Sequence, residues 1–170
     1  MNDFDEQLRE ILPRLRRFAL SLTREQSSAD DLVQATLERA LTRLESKRPE
    51  GDLRAWLFAI LYRRFVDQHR SARRYTRMLE LFGRGREDDV QPSTERSVLA
   101  QHSLGAFERL SGEQRALLLA VSVEGLSYKE VAMMFDVPIG TVMSRLSRAR
   151  QALRDLSEGE VTKPRLRILK

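Results

Sequence analysis

Apolar residues recur along most of this chain at three- and four-residue steps, the period of one face of an α-helix. The first such segment runs from Phe4 to Leu22 through Leu8, Ile11/Leu12, Leu15 and Phe18/Ala19. Pro13 lies inside it and should kink the helix or divide it in two, because proline removes one backbone donor. A second helix is predicted from Ala29 to Leu44, capped by Ser27 or Ser28, with Asp30 and Asp31 in its first turn. Its buried side would hold Leu32, Ala35/Thr36, Leu37, Ala40 and Leu44. The segment ESKRPEGD (45–52) then reads as a loop by its proline, glycine and charges. From Leu53 to about Arg74 a long helix is apolar nearly all round in its first half, which implies burial among neighbours.

The segment FGRGREDDVQPS (82–93) reads as linker, and a helix from about Thr94 to Leu110 follows. Ser111 and Gln114 have capping-box spacing and open a helix through Val123 that Gly125 should end. Ser127 and Glu130 repeat that spacing, and Val131, Ala132 and Phe135 mark the apolar face of the next helix. Asp136-Val137-Pro138-Ile139-Gly140 breaks the pattern, with glycine expected to supply the turn. Thr141 is then expected to cap a second helix that buries Val142, Leu146, Ala149 and Leu153 and carries Arg145, Arg148, Arg150 and Arg154 on its other face. Two short helices across a tight turn, the second one basic, form a helix-turn-helix whose second helix suits a DNA major groove.

Composition sharpens this. Aromatics are 6% and charged residues 32% of 170 residues, which favours small helical bundles over one large core. The expected architecture is all-α: a first helical domain at 1–77, a flexible linker at 78–93, a second domain at 94–158 and a basic tail at 159–170. The chain has no cysteine, and His69 and His102 lack partners at metal-ligand spacing, so no metal or other cofactor is expected. The acidic start MNDFDEQL lacks the apolar run of a signal peptide, and no segment approaches the roughly 20 apolar residues that span a bilayer. The expectation is a cytoplasmic protein with no direct membrane insertion.

The net charge of +5 is unevenly spread. Residues 39–77 carry 11 basic and 4 acidic side chains, and 143–170 carry 8 and 3. Residues 1–38 carry 5 and 8, and 78–142 carry 6 and 10. Two basic blocks on either side of an acidic middle fit two contacts with one polyanion.

Three segments together resemble bacterial RNA polymerase sigma factors of the extracytoplasmic-function group: SADDLVQATLERAL (28–41), GDLRAWLFAILYRRFVDQHR (51–70) and LSYKEVAMMFDVPIGTVMSRLSRARQAL (126–153). They occur in that family's order, and the resemblance covers nearly the whole chain. It implies a sigma region 2 followed by a region 4, both docking on core RNA polymerase. By carry-over Asp31, Leu32, Gln34 and Glu38 would contact the clamp helices of the largest polymerase subunit, while the second domain would meet the flap region.

The same resemblance assigns the 45–52 loop and the start of the following helix to the minus-ten element of promoter DNA, with Lys47, Arg48, Asp52, Arg54 and Arg63 as candidates. Promoter opening takes a base out of the stack, which a short loop can cup while basic residues hold the strand. Trp56, Phe58 and Tyr62 could stack on bases but sit at the spacing of core residues. The second helix of the helix-turn-helix would read the minus-thirty-five element through Thr141, Met143, Ser144, Arg145, Ser147 and Arg148. Two positions depart from the family pattern: Met143, where a basic residue is common, and Arg64, where asparagine is.

The resemblance also implies an anti-sigma factor as partner and a stress-response setting. No nucleophile–base pair, metal cluster or phosphate-binding glycine loop points to an enzyme. The competing reading is a free-standing helix-turn-helix regulator, which leaves the DLVQ helix and the 45–52 loop without a role. A protein–protein adaptor of sigma-like architecture conflicts with the arginines on the recognition helix.

Overall fold

A computed structural model of the chain describes residues 3–43, 51–81 and 105–161, in which all regular structure is helical. The first half contains α1 (Asp3–Thr23), α2 (Gln26–Thr42) and α3 (Leu53–Leu81). The second contains α4 (Gly112–Ser122), α5 (Tyr128–Phe135) and α6 (Ile139–Val161), preceded by a helical turn at 105–108. The all-α class and the two helical halves are those that the periodicity predicts.

Several ends differ from expectation. Pro13 does not divide α1, because it lies on the exposed side while Ile11, Leu15, Phe18, Ala19 and Leu22 bury the other. α2 starts at Gln26, and its cap is Glu25 rather than Ser27 or Ser28. The Glu25 carboxylate accepts the backbone N–H groups of Ser27 at 2.8 Å and Ser28 at 2.6 Å, so the serines are donors to the cap. Asp30 and Asp31 therefore fall beyond the first turn. α3 continues past Arg74 and across residue 77 to Leu81, since neither glycine nor proline interrupts the pattern before Gly83. α6 likewise runs across residue 158 to Val161.

In the first half, Leu15, Phe18, Leu32, Thr36, Leu57, Phe58 and Leu61 are sealed from solvent. Phe18 and Phe58 meet edge-on with ring centres 4.9 Å apart, an arrangement aromatic quadrupoles favour. The one hydroxyl in this group, on Thr36, donates to the Leu32 carbonyl at 2.7 Å, so its burial leaves no donor unpaired.

In the second half both capping boxes form as their spacing predicts, Ser111 with Gln114 and Ser127 with Glu130. Gly125 follows the end of α4 with φ +64°, a conformation a side chain resists. The helix-turn-helix bend is made by Asp136, not Gly140. Asp136 is left-handed (φ 54°, ψ 51°), and the Val137 N–H closes onto the Ala132 carbonyl at 3.0 Å. Gly140 already lies inside α6. Met134, absent from the predicted apolar face of α5, is fully buried there beside Val131.

The halves are not held apart. α3 packs along α5 and α1 along α4, and the buried apolar residues of both halves form one continuous core. Tyr62 of α3 lies against Phe135 of α5, with ring centres 4.2 Å apart. A Cβ placed on Gly112 would stand 3.1 Å from the Phe65 ring, a tight approach that would oblige the ring to shift by a few tenths of an ångström. The predicted linker beyond Leu81, the start of the 94–110 helix, His102 and the 163–170 tail lie outside the described residues.

The Glu25 cap generates a pH-dependent prediction. Hydrogen bonds from Ser28, then Ser27, lower its carboxyl from an ordinary 4.5 to about 2. Because the folded value is the depressed one, the cap stabilises above pH 4.5, and that contribution fades as pH falls toward 2. Glu25→Ala should therefore melt at a lower temperature than wild type near neutral pH, with the gap closing below pH 4.5. A gap of constant size down to about pH 3 in paired thermal melts would count against this cap.

Candidate nucleic-acid interface

α6 is amphipathic. Val142, Leu146 and Ala149 are at most 1% exposed and fasten it to α4 and α5, which leaves Met143, Ser144, Ser147, Arg148, Arg150 and Arg154 facing out. The helix opens at Ile139. Its first bonds are accepted by the Pro138 carbonyl, from Thr141 N–H at 2.9 Å and Val142 N–H at 3.2 Å. Thr141 is thus the third helical residue and not the cap, because proline's fixed φ has already started the turn.

The outward arginines are held differently. Arg148 Nε donates to the Ser144 carbonyl at 3.3 Å, which steers its side chain back along the exposed face. Arg145 sits half-buried on the flank and pairs with Glu113 of α4 at 2.5 Å. That pair orients the guanidinium instead of leaving it to swing, although an exposed pair of this kind is worth at most about 1 kcal/mol.

On α2, Asp31, Gln34 and Glu38 form an exposed stripe at three- and four-residue spacing, and Gln34 Nε2 donates to Glu38 Oε1 at 3.2 Å. Leu32 is 0% exposed and belongs to the core, so its assignment as a polymerase contact is corrected. One residue beyond Asp31 lies about 100° round the helix, which turns it inward.

Among the described minus-ten candidates, Asp52 and Arg54 lie together and Arg63 lies apart from them. Lys47 and Arg48 lie outside the described residues. Asp52 caps α3 by accepting the Arg54 N–H at 2.9 Å, and its other oxygen pairs with the Arg54 guanidinium at 3.3 Å. Arg63 lies nine residues further along α3, where its guanidinium donates to the Met133 carbonyl of α5 at 2.9 Å. Arg64 turns to the Ala35 carbonyl of α2 at 3.4 Å. Phe58 and Tyr62 are core residues, Trp56 is half-buried, and the exposed His69 ring lies near Phe65. Burial, then the nearby Glu113 carboxylate, pushes the Tyr62 phenol well above its usual range.

Sequence reasoning missed the polar contacts between the halves. Arg115 is 4% exposed, and its guanidinium donates to the carbonyls of Ser21 at 2.7 Å, Leu22 at 3.2 Å and Leu110. Burial, with Arg24 nearby, lowers its pKa from 12.5 to about 10. The available signal is an arginine just before the apolar run ALLLAV, where the helical period asks for a core residue. A second tie joins Arg14 of α1 to Glu124 at 2.7 Å.

Comparison with known proteins bears on what carries these surfaces. Residues 8–62 match the family model described as the Sigma2 domain of PhyR, and residues 104–153 match Sigma-70, region 4. The chain is 36% identical over 150 residues to the ECF RNA polymerase sigma factor EcfG of Rhodopseudomonas palustris, covering 84% of this chain and 78% of that one. The chain belongs to the ECF RNA polymerase sigma factors. It is also 32% identical to the ECF sigma factor SigM of Mycobacterium tuberculosis, covering 88% of this chain and 74% of the other. Among solved structures, the sigma factor RpoE in complex with the anti-sigma factor NepR, from Bartonella quintana, superposes with TM-score 0.75 at 35% identity, over 93% of this chain and 98% of that one. CnrH in complex with the cytosolic domain of CnrY gives TM-score 0.64 at 25% identity, over 92% and 88%.

In this sigma factor, then, α1, α2 and the first ten residues of α3 carry the region 2 match and α4–α6 most of the region 4 match, with Arg115 fastening one half to the other. Arg115→Ala would orphan buried carbonyls in both halves and should cost roughly 3 kcal/mol of stability in urea melts. A cost below about 1 kcal/mol would mean that water replaces the guanidinium and that the contact is not a clamp.

Proposed function

We propose that this alternative sigma factor initiates transcription by binding core RNA polymerase through both halves and bringing it to a promoter subset. The observation that carries the reading is a region 4 helix-turn-helix with an outward arginine face, in one chain with a region 2 half bearing a solvent-facing acidic stripe. Asp31, Gln34 and Glu38 are the contacts for the clamp helices of the largest subunit, and the second half is the contact for the flap. α6 reads the minus-thirty-five element. The 45–52 segment, with Lys47, Arg48, Asp52 and Arg54, captures the minus-ten strand. Arg63 joins that set only when the halves part, since its guanidinium is committed to the Met133 carbonyl in the packed arrangement.

The anti-sigma factor expected for this family is the second partner. A cleft of about 1040 Å³ between the halves, edged by Arg70 and Arg73 and floored by Tyr62 and Phe65, leaves room for a partner's segment. Among the described residues no helix is long and apolar enough to cross a membrane. A regulator acting without polymerase would give the exposed stripe on α2 nothing to bind.

Run-off transcription with purified core polymerase, with and without this chain, tests the reading, and start sites should appear only with both. Asp31→Ala combined with Gln34→Ala should keep its helical content yet weaken core binding roughly tenfold, about 1.4 kcal/mol. A natively folded double variant that binds core normally would remove α2 from the interface. On the DNA side, Arg148→Ala should flatten the preference among minus-thirty-five variants by roughly tenfold, because a bidentate arginine–guanine pair is worth about 1–3 kcal/mol of discrimination. Arg145→Ala should instead weaken all variants alike and reduce the salt slope, as a phosphate contact does. Holoenzyme affinities on single-base variants at two salt concentrations separate the two. An equal loss on every variant with Arg148→Ala would make Arg148 a phosphate anchor.

A further inference from the structure

The first two turns of α6 expose two large apolar side chains, Ile139 at 47% and Met143 at 50%. Four residues apart, they stand in one row on the helix surface. Single exposed hydrophobics are ordinary, but this pair opens an otherwise polar and cationic surface: Ser144, Ser147 and Arg148 lie on one side, and Arg150 and Arg154 follow along the helix. An apolar protein partner would need a broader greasy patch than two side chains among guanidinium groups. A polyanion with isolated apolar points on its surface matches both the charge and the row.

We propose that Ile139 and Met143 read thymine in the minus-thirty-five element, by packing against the C5-methyl group in the major groove. The proposal rests on α6 being the minus-thirty-five reader. Among the base edges of that groove the thymine methyl is the apolar group, and cytosine presents hydrogen at the same carbon. Methionine is suited to it: the unbranched thioether adjusts to the height of a methyl and offers no donor that would favour guanine.

Gly140, between the two, supports a close approach. A Cβ built there meets nothing within 4 Å and its φ is not in the left-handed region, so no contact within the fold calls for glycine. Its absent side chain lets an external surface come near the backbone of the first turn.

The test uses holoenzyme assembled from the full chain and core polymerase. The tightest duplex is first selected from a library randomised in the minus-thirty-five element, then remade with deoxyuridine for thymine inside that element, which removes only methyl groups. Wild-type affinity should fall roughly fourfold for each contacted methyl, the scale of burying one carbon. Ile139→Ala with Met143→Ala should bind the thymine duplex more weakly and lose the difference between thymine and deoxyuridine. Both side chains are exposed, and circular dichroism checks that the variant keeps its fold. Equal binding of the two duplexes by wild type overturns the proposal, as does a selected element with no A·T pair or a double variant that stays methyl-sensitive. If selection finds no preference at all within the element, the minus-thirty-five reading of α6 fails first and the proposal fails with it.

Discussion

The arrangement of this sigma factor depends on one buried cation. Arg115 carries a full charge into a site that is 4% exposed, and its guanidinium meets main-chain carbonyls at the end of α1 and before α4. Helix ends leave carbonyls without partners, and the end of α1 would be buried with Ser21 and Leu22 among them. A guanidinium, with five donors in a planar fork, can serve several such acceptors at once, which an ammonium group cannot match in geometry. Charge and carbonyls therefore have to be buried together, and the two halves are joined where they meet.

Other contacts spread from the same turn. Ser111 caps α4, Gly112 lets it approach Phe65 of α3, Glu113 orients Arg145 on α6, and Arg115 reaches α1. Three of these four neighbours thus touch three other helices, α6 among them. The position of Arg145 is accordingly tied to the packing of the halves and not to α6 alone. Tyr62 on Phe135 and Arg63 on the Met133 carbonyl extend the contact along α3 and α5. Arg14 with Glu124 adds an ion pair whose desolvation offsets much of its attraction.

This packing has a consequence for nucleic-acid contacts. Residues that a sigma factor would offer to DNA are divided between a face that is open, on α6, and one that is partly engaged, on α3. Arg148 and Met143 are exposed, whereas Arg63 holds a carbonyl of the other half. The acidic stripe of α2 is open in the same arrangement. The proposed polymerase contact and minus-thirty-five reading would need no rearrangement of those side chains, whereas the proposed use of Arg63 on DNA would.

Much of this was legible in the residues themselves, where the determining physics is local. Helical periodicity, both capping boxes of the second half and the buried row Val142, Leu146 and Ala149 follow from backbone geometry and neighbours within a turn or so. Local alternatives were harder to rank: Glu25 outcompeted two serines as a cap, and Asp136 took the left-handed turn in place of Gly140. Leu32 shows the limit of transferring a motif whole, since it lies one residue beyond Asp31 of the exposed stripe and points inward. What only the tertiary structure decided is the union of the halves. Arg115 on Ser21, Tyr62 on Phe135 and Arg63 on Met133 join residues 94, 73 and 70 positions apart, and no periodicity encodes a partner at that distance. An arginine in an apolar run signals a buried charge, but which carbonyls receive it is settled only when two helix ends arrive at the same place.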